Sequence, residues 1–196
     1  MAQRTEAKTS LDDFPTPPWA TRALMEHVIG GDVSTFSCLE PACGVGHMSR
    51  ALREHFGTVI SCDIHNYGYG EVRDFLRTTI INYISDPDWV ITNPPFRLAE
   101  AFAIHALGMA RQGVAILART VFLESVGRYE RLFSLYPPRK VAQFTERVGM
   151  VKGRLDRHIA TATGYCWIVW LKDYDGKPEL TWIPPCRKNL ERDSDY

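Results

Sequence analysis

Asn93-Pro94-Pro95-Phe96 closes the short apolar run Asp88-Trp89-Val90-Ile91-Thr92 and packs an amide, two prolines and an aromatic ring into four residues. Val90 and Ile91 are β-branched and Trp89 is aromatic, so a run this short reads as a buried strand. The prolines stop it, since neither has an N–H to offer a neighbouring strand, and Asn93 before a proline is held extended. The expected result is a stiff corner presenting the Asn93 side chain, the Pro94 carbonyl and the Phe96 ring in nearly fixed relation. Two acceptors and a stacking face suit a flat ring that bears an amine. The same residues also make an ordinary strand exit with a Pro-Pro turn, and in isolation both readings stand.

A second cluster lies upstream. The strand from Phe36 to Leu39 runs into Glu40-Pro41-Ala42-Cys43-Gly44-Val45-Gly46, followed by a helix from Ser49 to Phe56 and a strand from Thr58 to Cys62. This is the first βαβ unit of a doubly wound sheet, and a ligand crevice should open at its glycine turn. Gly44 and Gly46 would let a ligand approach the backbone ahead of a helix N-terminus. Glu40 puts a carboxylate where a pyrophosphate would lie, which disfavours phosphate and favours an ammonium group. Asp63 follows Gly46 by 17 residues, near the spacing at which an acid bonds a ribose diol. Adenosine with a positively charged tail meets these demands better than a dinucleotide does.

Three further groups could join them. Thr16 reads as a helix N-cap with Pro17 in the first turn, opening an amphipathic helix to Ile29 that Gly30-Gly31 closes. Asp74 could accept a bond from an adenine amine while Phe75 packs on its ring, although Asp74 reads equally as a helix cap. Arg147 to Gly164, a long loop with Arg147, Lys152, Arg154, Arg157 and His158, reads as a surface for a polyanion or as a solvated face.

The elements that must position these residues follow in order. A very short third strand is expected at Glu71 to Arg73, a helix from Leu76 to Ile84, the Asp88 strand beside the first strand, and a helix from Leu98 to Arg111. Then come a strand from Gly113 to Leu117, a helix from Val121 to Tyr136, a strand at Val141 to Thr145, a strand from Tyr165 to Leu171 paired antiparallel, and a small edge strand at Leu180 to Ile183. Residues 1–12 and the charged tail, 186–196, are expected to be disordered, leaving one domain over 13–185.

The chain has 196 residues, 45% of them apolar, which suits one soluble domain. No apolar run nears membrane-spanning length, the polar start lacks a signal-peptide core, and a cytoplasmic location is expected. Five cysteines without a C-x-x-C pair, and histidines without ligand spacing, argue against disulfides and metal. The 23 basic and 23 acidic residues cancel overall but segregate: residues 1–96 carry 7 against 12, and residues 119–158 carry 9 against 4.

With these residues in place, residues 13 to 172 resemble the S-adenosylmethionine-dependent class I methyltransferases, and within them the DNA adenine-N6 methyltransferases, particularly short phage and prophage forms. The resemblance implies an α/β, Rossmann-like fold: a seven-stranded, mostly parallel sheet with an antiparallel last strand and helices on both faces. It implies S-adenosylmethionine as cofactor, held by Phe14, Thr16 and Pro17 at the methionine carboxylate, by Glu40, Pro41, Ala42, Cys43, Gly44 and Gly46 in the loop, by Asp63 and Ile64 at the ribose, by Asp74 and Phe75 at the adenine, and by Asn93. Asn93, Pro94, Pro95 and Phe96 are similar to the catalytic motif, and Arg147, Lys152, Arg154, Arg157 and His158 would meet DNA. Glu40 replaces the more usual Asp, and no separate target-recognition domain is evident, so low or short sequence specificity is expected. Methylation of an RNA base amine or a protein glutamine amide, and a silent nucleic-acid-binding subunit, are the competing readings. The joint presence of Glu40, Asp63 and Asn93 argues against the last.

Overall fold

The computed structural model describes residues 12–77 and 86–196. Eight strands form one sheet: β1 (Ser37–Glu40), β2 (Thr58–Asp63), β3 (Glu71–Val72), β4 (Trp89–Thr92), β5 (Gly113–Arg119), β6 (Lys140–Phe144), β7 (Tyr165–Leu171) and β8 (Glu179–Ile183). Their order is β3-β2-β1-β4-β5-β7-β6-β8. β1 pairs parallel with both β2 and β4, β4 pairs parallel with β5, and β7 runs antiparallel between β5 and β6. The expected seven-strand sheet is present, and the small edge strand joins it as an eighth, parallel to β6.

Alternation along the strands sorts the core into two layers. Cys38, Trp89, Ile91, Ala115, Leu117 and Trp167 face α1 (Pro18–Leu24) and α2 (His47–Leu52). Leu39, Val90, Val114, Ile116 and Ile168 face α3 (Ala99–Met109), which buries Phe102, Ala103, Ala106 and Met109. Burial on both sides explains why β4 and β5 read as continuous apolar runs. Trp167 Nε1 donates to the Ala20 carbonyl at 3.0 Å, fastening α1 to the middle of the sheet.

Three local expectations need correction. The first helix starts at Pro18, capped by Pro17 with extended backbone (φ −63°, ψ 133°), because a residue before proline leaves the helical region; Thr16 therefore caps nothing. The helix expected from Val121 is delayed: a 3-10 turn at Thr120–Leu123 gives way to Ser125 at φ 143°, whose hydroxyl accepts from Arg128 N to cap α4 (Val126–Arg128), continued by a π-helical turn at Tyr129–Phe133. The expected loose tail is built in: α5 (Arg187–Leu190) and a 3-10 turn at Asp193–Asp195 dock on α1. There buried Arg22 donates to the Leu190 carbonyl at 2.7 Å, to both Asp195 oxygens at 2.9 Å and to Glu54. Phe75–Arg77 form a 3-10 turn; the rest of the helix expected to reach Ile84, and the N-terminal residues expected to be disordered up to 11, lie outside the described residues. Among the described residues no helix is long and apolar enough to cross a membrane.

Candidate active site

The chain leaves β1 toward β2 on one side and returns as β4 on the other, so a crevice opens at the carboxyl ends of β1 and β4. Leu39 lies opposite Val90, which puts Glu40 and Asn93 at the same edge. A cavity of about 520 Å³ occupies that crevice. Of the residues expected to hold a cofactor, Phe14, Thr16, Glu40, Pro41, Ala42, Cys43, Gly44, Asp63, Ile64, Asp74, Phe75 and Asn93 line it; Pro17 and Gly46 do not. Pro17 is turned into the start of α1. Gly46 serves the backbone instead of the ligand: its φ is +88°, and a Cβ there would strike the Tyr69 ring.

The loop after β1 is braced from β2. Asp63 accepts from Gly44 N and from His65 N, each at 3.0 Å, so its carboxylate is fixed at the cavity wall by two backbone donors. Phe75 is fully buried against Phe102, at 5.0 Å between ring centroids, and offers the cavity only part of a ring that is otherwise core. Five wall residues, Asp12, Asp13, His47, His65 and Tyr67, carry ionisable groups that no sequence motif singled out.

The cavity is strongly acidic. Glu40 is 2% exposed, and burial, with the nearby Asp63 charge, pushes its carboxyl up to about 8 despite hydrogen bonding from Ser49. Ser49 in turn lies 2.7 Å from the Ser61 hydroxyl, so the acid ends a small buried hydroxyl chain. Asp13 is raised by burial and by Asp63, and Tyr67 is pushed to about 12 by burial and then by Asp13 and Asp63. Acids that raise one another in this way favour a cation between them. Opposite them, Thr16 Oγ1 is buried without a partner, a hydroxyl left over for a ligand.

The Asn93 amide donates to the Phe14 carbonyl at 2.9 Å and lies 3.7 Å from Met150 Sδ, which fixes the orientation of the side chain. Its Oδ1 is buried and has no hydrogen-bond partner. Phe96 N donates to the Asp12 carboxylate at 2.6 Å, and the Phe96 ring sits 5.3 Å from Phe14. The open stacking face expected on Phe96 is not open: the Arg119 guanidinium lies 3.8 Å from the ring centroid. Arg119 ends β5, next to β4, and no local motif could have announced that contact.

The basic loop is folded against the rest of the chain. Gly153 N donates to the Asp13 carbonyl at 2.9 Å, placing Lys152 at the cavity mouth beside Asp13. Arg154 pairs with Asp156, and Arg157 pairs with Asp193 at 2.9 Å and lies over the Tyr196 ring. Arg147 and His158 stay on the surface. The five cations expected to face DNA are thus divided between the cavity mouth, the surface and the C-terminal segment.

No family model and no curated protein sequence matches the chain. Solved structures do. A Listeria monocytogenes protein described as a class I S-adenosylmethionine-dependent methyltransferase superposes with a TM-score of 0.64 at 14% identity, over 89% of this chain and 67% of its own. The fold is that of the class I methyltransferases. The modification subunit of a type I restriction enzyme from Vibrio vulnificus gives 0.62 at 15% identity over 93% of this chain, which spans half the length of that protein. An RNA methyltransferase from Pyrococcus horikoshii gives 0.59 at 17%, over 86% and 91% of the two chains. Identities this low carry the methyltransferase fold and not the substrate.

Proposed function

We propose that this methyltransferase-fold protein transfers a methyl group from S-adenosylmethionine to the exocyclic N6 amine of adenine in DNA, with little or short sequence specificity. The observation that carries the reading is Asn93 Oδ1: a buried acceptor without a partner, at the rim of an acidic cavity, on a side chain whose other end is anchored. Structural neighbours described as a restriction-system modification subunit and as an RNA methyltransferase are consistent with a nucleic acid acceptor.

The cavity residues fit the cofactor. Asp63 suits a ribose diol, the Thr16 hydroxyl a carboxylate, and the ring edge of Phe75 an adenine, while Glu40 and Asp13 match the positive charge of an ammonium and a sulfonium. When bound, S-adenosylmethionine supplies an electrophilic methyl group. The protein prepares the acceptor. An aromatic amine spreads its lone pair into the ring, and Asn93 Oδ1 with the Pro94 carbonyl, by accepting its two N–H bonds, favours a more tetrahedral nitrogen. As nitrogen becomes positive during attack, the same two carbonyl dipoles stabilise it. No strong base is required beforehand, because the cationic amine sheds its proton readily once formed. Pro94 and Pro95 hold the acceptors still, and Phe96 supplies the ring on which a base drawn out of a duplex can stack.

Asn93→Ala should keep calorimetric binding of S-adenosylhomocysteine within a few-fold and lower methyl transfer to duplex DNA by about 10³-fold, the scale of losing one such dipole. Wild-type turnover in that variant would remove Asn93 from the chemistry. Parallel assays on DNA, RNA and a release-factor glutamine identify the acceptor class.

A further inference from the structure

The Arg119 guanidinium lies over the ring that the acceptor is expected to stack on, 3.8 Å from the Phe96 centroid and 6.0 Å from that of Phe14. Strand alternation puts Arg119 on the same sheet face as Ala115 and Leu117, the face that Trp89 and Ile91 also share, and Asn93 continues that series along β4. Its cross-strand partner is Tyr165, a buried phenol whose ring is 6.4 Å from Phe96. Asn93, Phe96, Arg119 and Tyr165 therefore lie together on one face of the sheet edge, beside the cofactor cavity that Asn93 lines. Arg119 Nε is buried there with no hydrogen-bond partner, while the rest of the guanidinium bonds the Tyr165 phenol. A guanidinium N–H in that state wants an acceptor, and the cation wants an anion.

We propose that Arg119 is a specificity-determining residue that selects a nucleotide as the acceptor: an aromatic ring arriving on Phe96 displaces the guanidinium, which then turns to the hydrogen-bond acceptors and phosphate of that nucleotide. The inference rests on the amino-methyltransferase reading of the Asn93 corner and narrows it to one acceptor class. A glutamine amide brings neither an aromatic ring to replace the guanidinium on Phe96 nor a negative charge to receive it. A nucleotide brings both, and guanidinium planes exchange readily with bases on aromatic faces because the two stack alike. The exchange leaves Nε with a bond to gain, and the guanidinium's hydrogen bond with the Tyr165 phenol is what must be given up or kept as it turns.

The test compares the wild type with Arg119→Met and Arg119→Lys, using S-adenosylmethionine and three acceptors: a mixed-sequence DNA duplex, a mixed-sequence RNA and a release-factor glutamine peptide. Arg119→Met is expected to raise KM for the nucleic acid at least tenfold, with a smaller change in kcat, and to leave S-adenosylhomocysteine binding unchanged by calorimetry. It should also make KM less dependent on salt, since one cation no longer meets a phosphate. Arg119→Lys keeps the charge and should recover a substantial part of the affinity. Unchanged KM in Arg119→Met, or equal losses in both variants, overturns the role of Arg119 and leaves the amino-methyltransferase reading standing. Wild-type transfer to the glutamine peptide in preference to both nucleic acids overturns the nucleotide assignment itself. Wild-type failure on all three overturns the reading of the Asn93 corner together with the inference built on it.

Discussion

At the scale of single residues, Glu40 has the clearest pH signature. Its carboxyl is raised by burial to about 8 in the ligand-free protein, whereas in an unfolded chain it would titrate near 4.5. A raised carboxyl means that the native state keeps a proton the unfolded chain has lost, so Glu40 costs stability progressively as pH climbs through that interval. A cationic ligand beside it reverses the preference and favours the ionised form. Binding of S-adenosylmethionine should therefore release a proton near neutrality, with affinity rising up to about tenfold per pH unit toward pH 8 and levelling above it. Calorimetry in buffers of different ionisation enthalpy reads that proton directly. In Glu40→Gln, binding should be weaker and flat with pH; a slope that survives the substitution would assign the titration to another group, Asp13 being next in line.

At the scale of elements, the loop between β1 and α2 depends on two glycines with left-handed backbone, Gly44 at φ +50° and Gly46 at φ +88°. Gly46→Ala adds a backbone cost of about 1–2 kcal/mol and a collision with Tyr69. Gly68, at φ +77° with open space around it, serves as the comparison for the backbone part. Chemical denaturation should show Gly46→Ala to be the more damaging of the two, the difference measuring how firmly Tyr69 is held between Gly46 and the cation of Arg50 at 4.8 Å; equal losses would mean that Tyr69 simply moves aside. Much of this loop and of the β4 exit was legible in sequence, because each is a motif of a few consecutive residues at a strand end. What was not legible arose where separate elements meet. Arg119 reaches Phe96 only because β5 lies against β4, Asp12 reaches Phe96 N across 84 residues, and Thr16 looked like a cap until two prolines in succession delayed the helix by a residue.

At the scale of the whole molecule, Arg22 ties the C-terminal turn to α1 across 173 residues, a partnership no local pattern could reveal and the reason the tail is ordered. Burial would raise the Asp195 carboxyl, yet hydrogen bonds from Arg22 and from Arg192 N hold it below its usual value, and Glu54 is likewise held low by Arg22 and Arg192. Carboxyls lowered on folding contribute stability above their unfolded pKa and lose it as pH falls through the folded value. Thermal stability should accordingly fall from about pH 5 downward. Asp195→Ala, which strands a buried guanidinium, should cost about 3 kcal/mol at neutral pH and flatten part of that acid loss; an unchanged midpoint would show that Glu54 alone suffices for Arg22. The order of the sheet carries one more consequence. β7 lies between β5 and β6, so β6 emerges from synthesis before the strand it must pair with exists, and β8 has no place until β6 is seated. Three of the eight strands thus assemble out of sequence: β1, β4 and β5 can close first around the crevice, and the last three strands can join the sheet only when the apolar run from Tyr165 arrives.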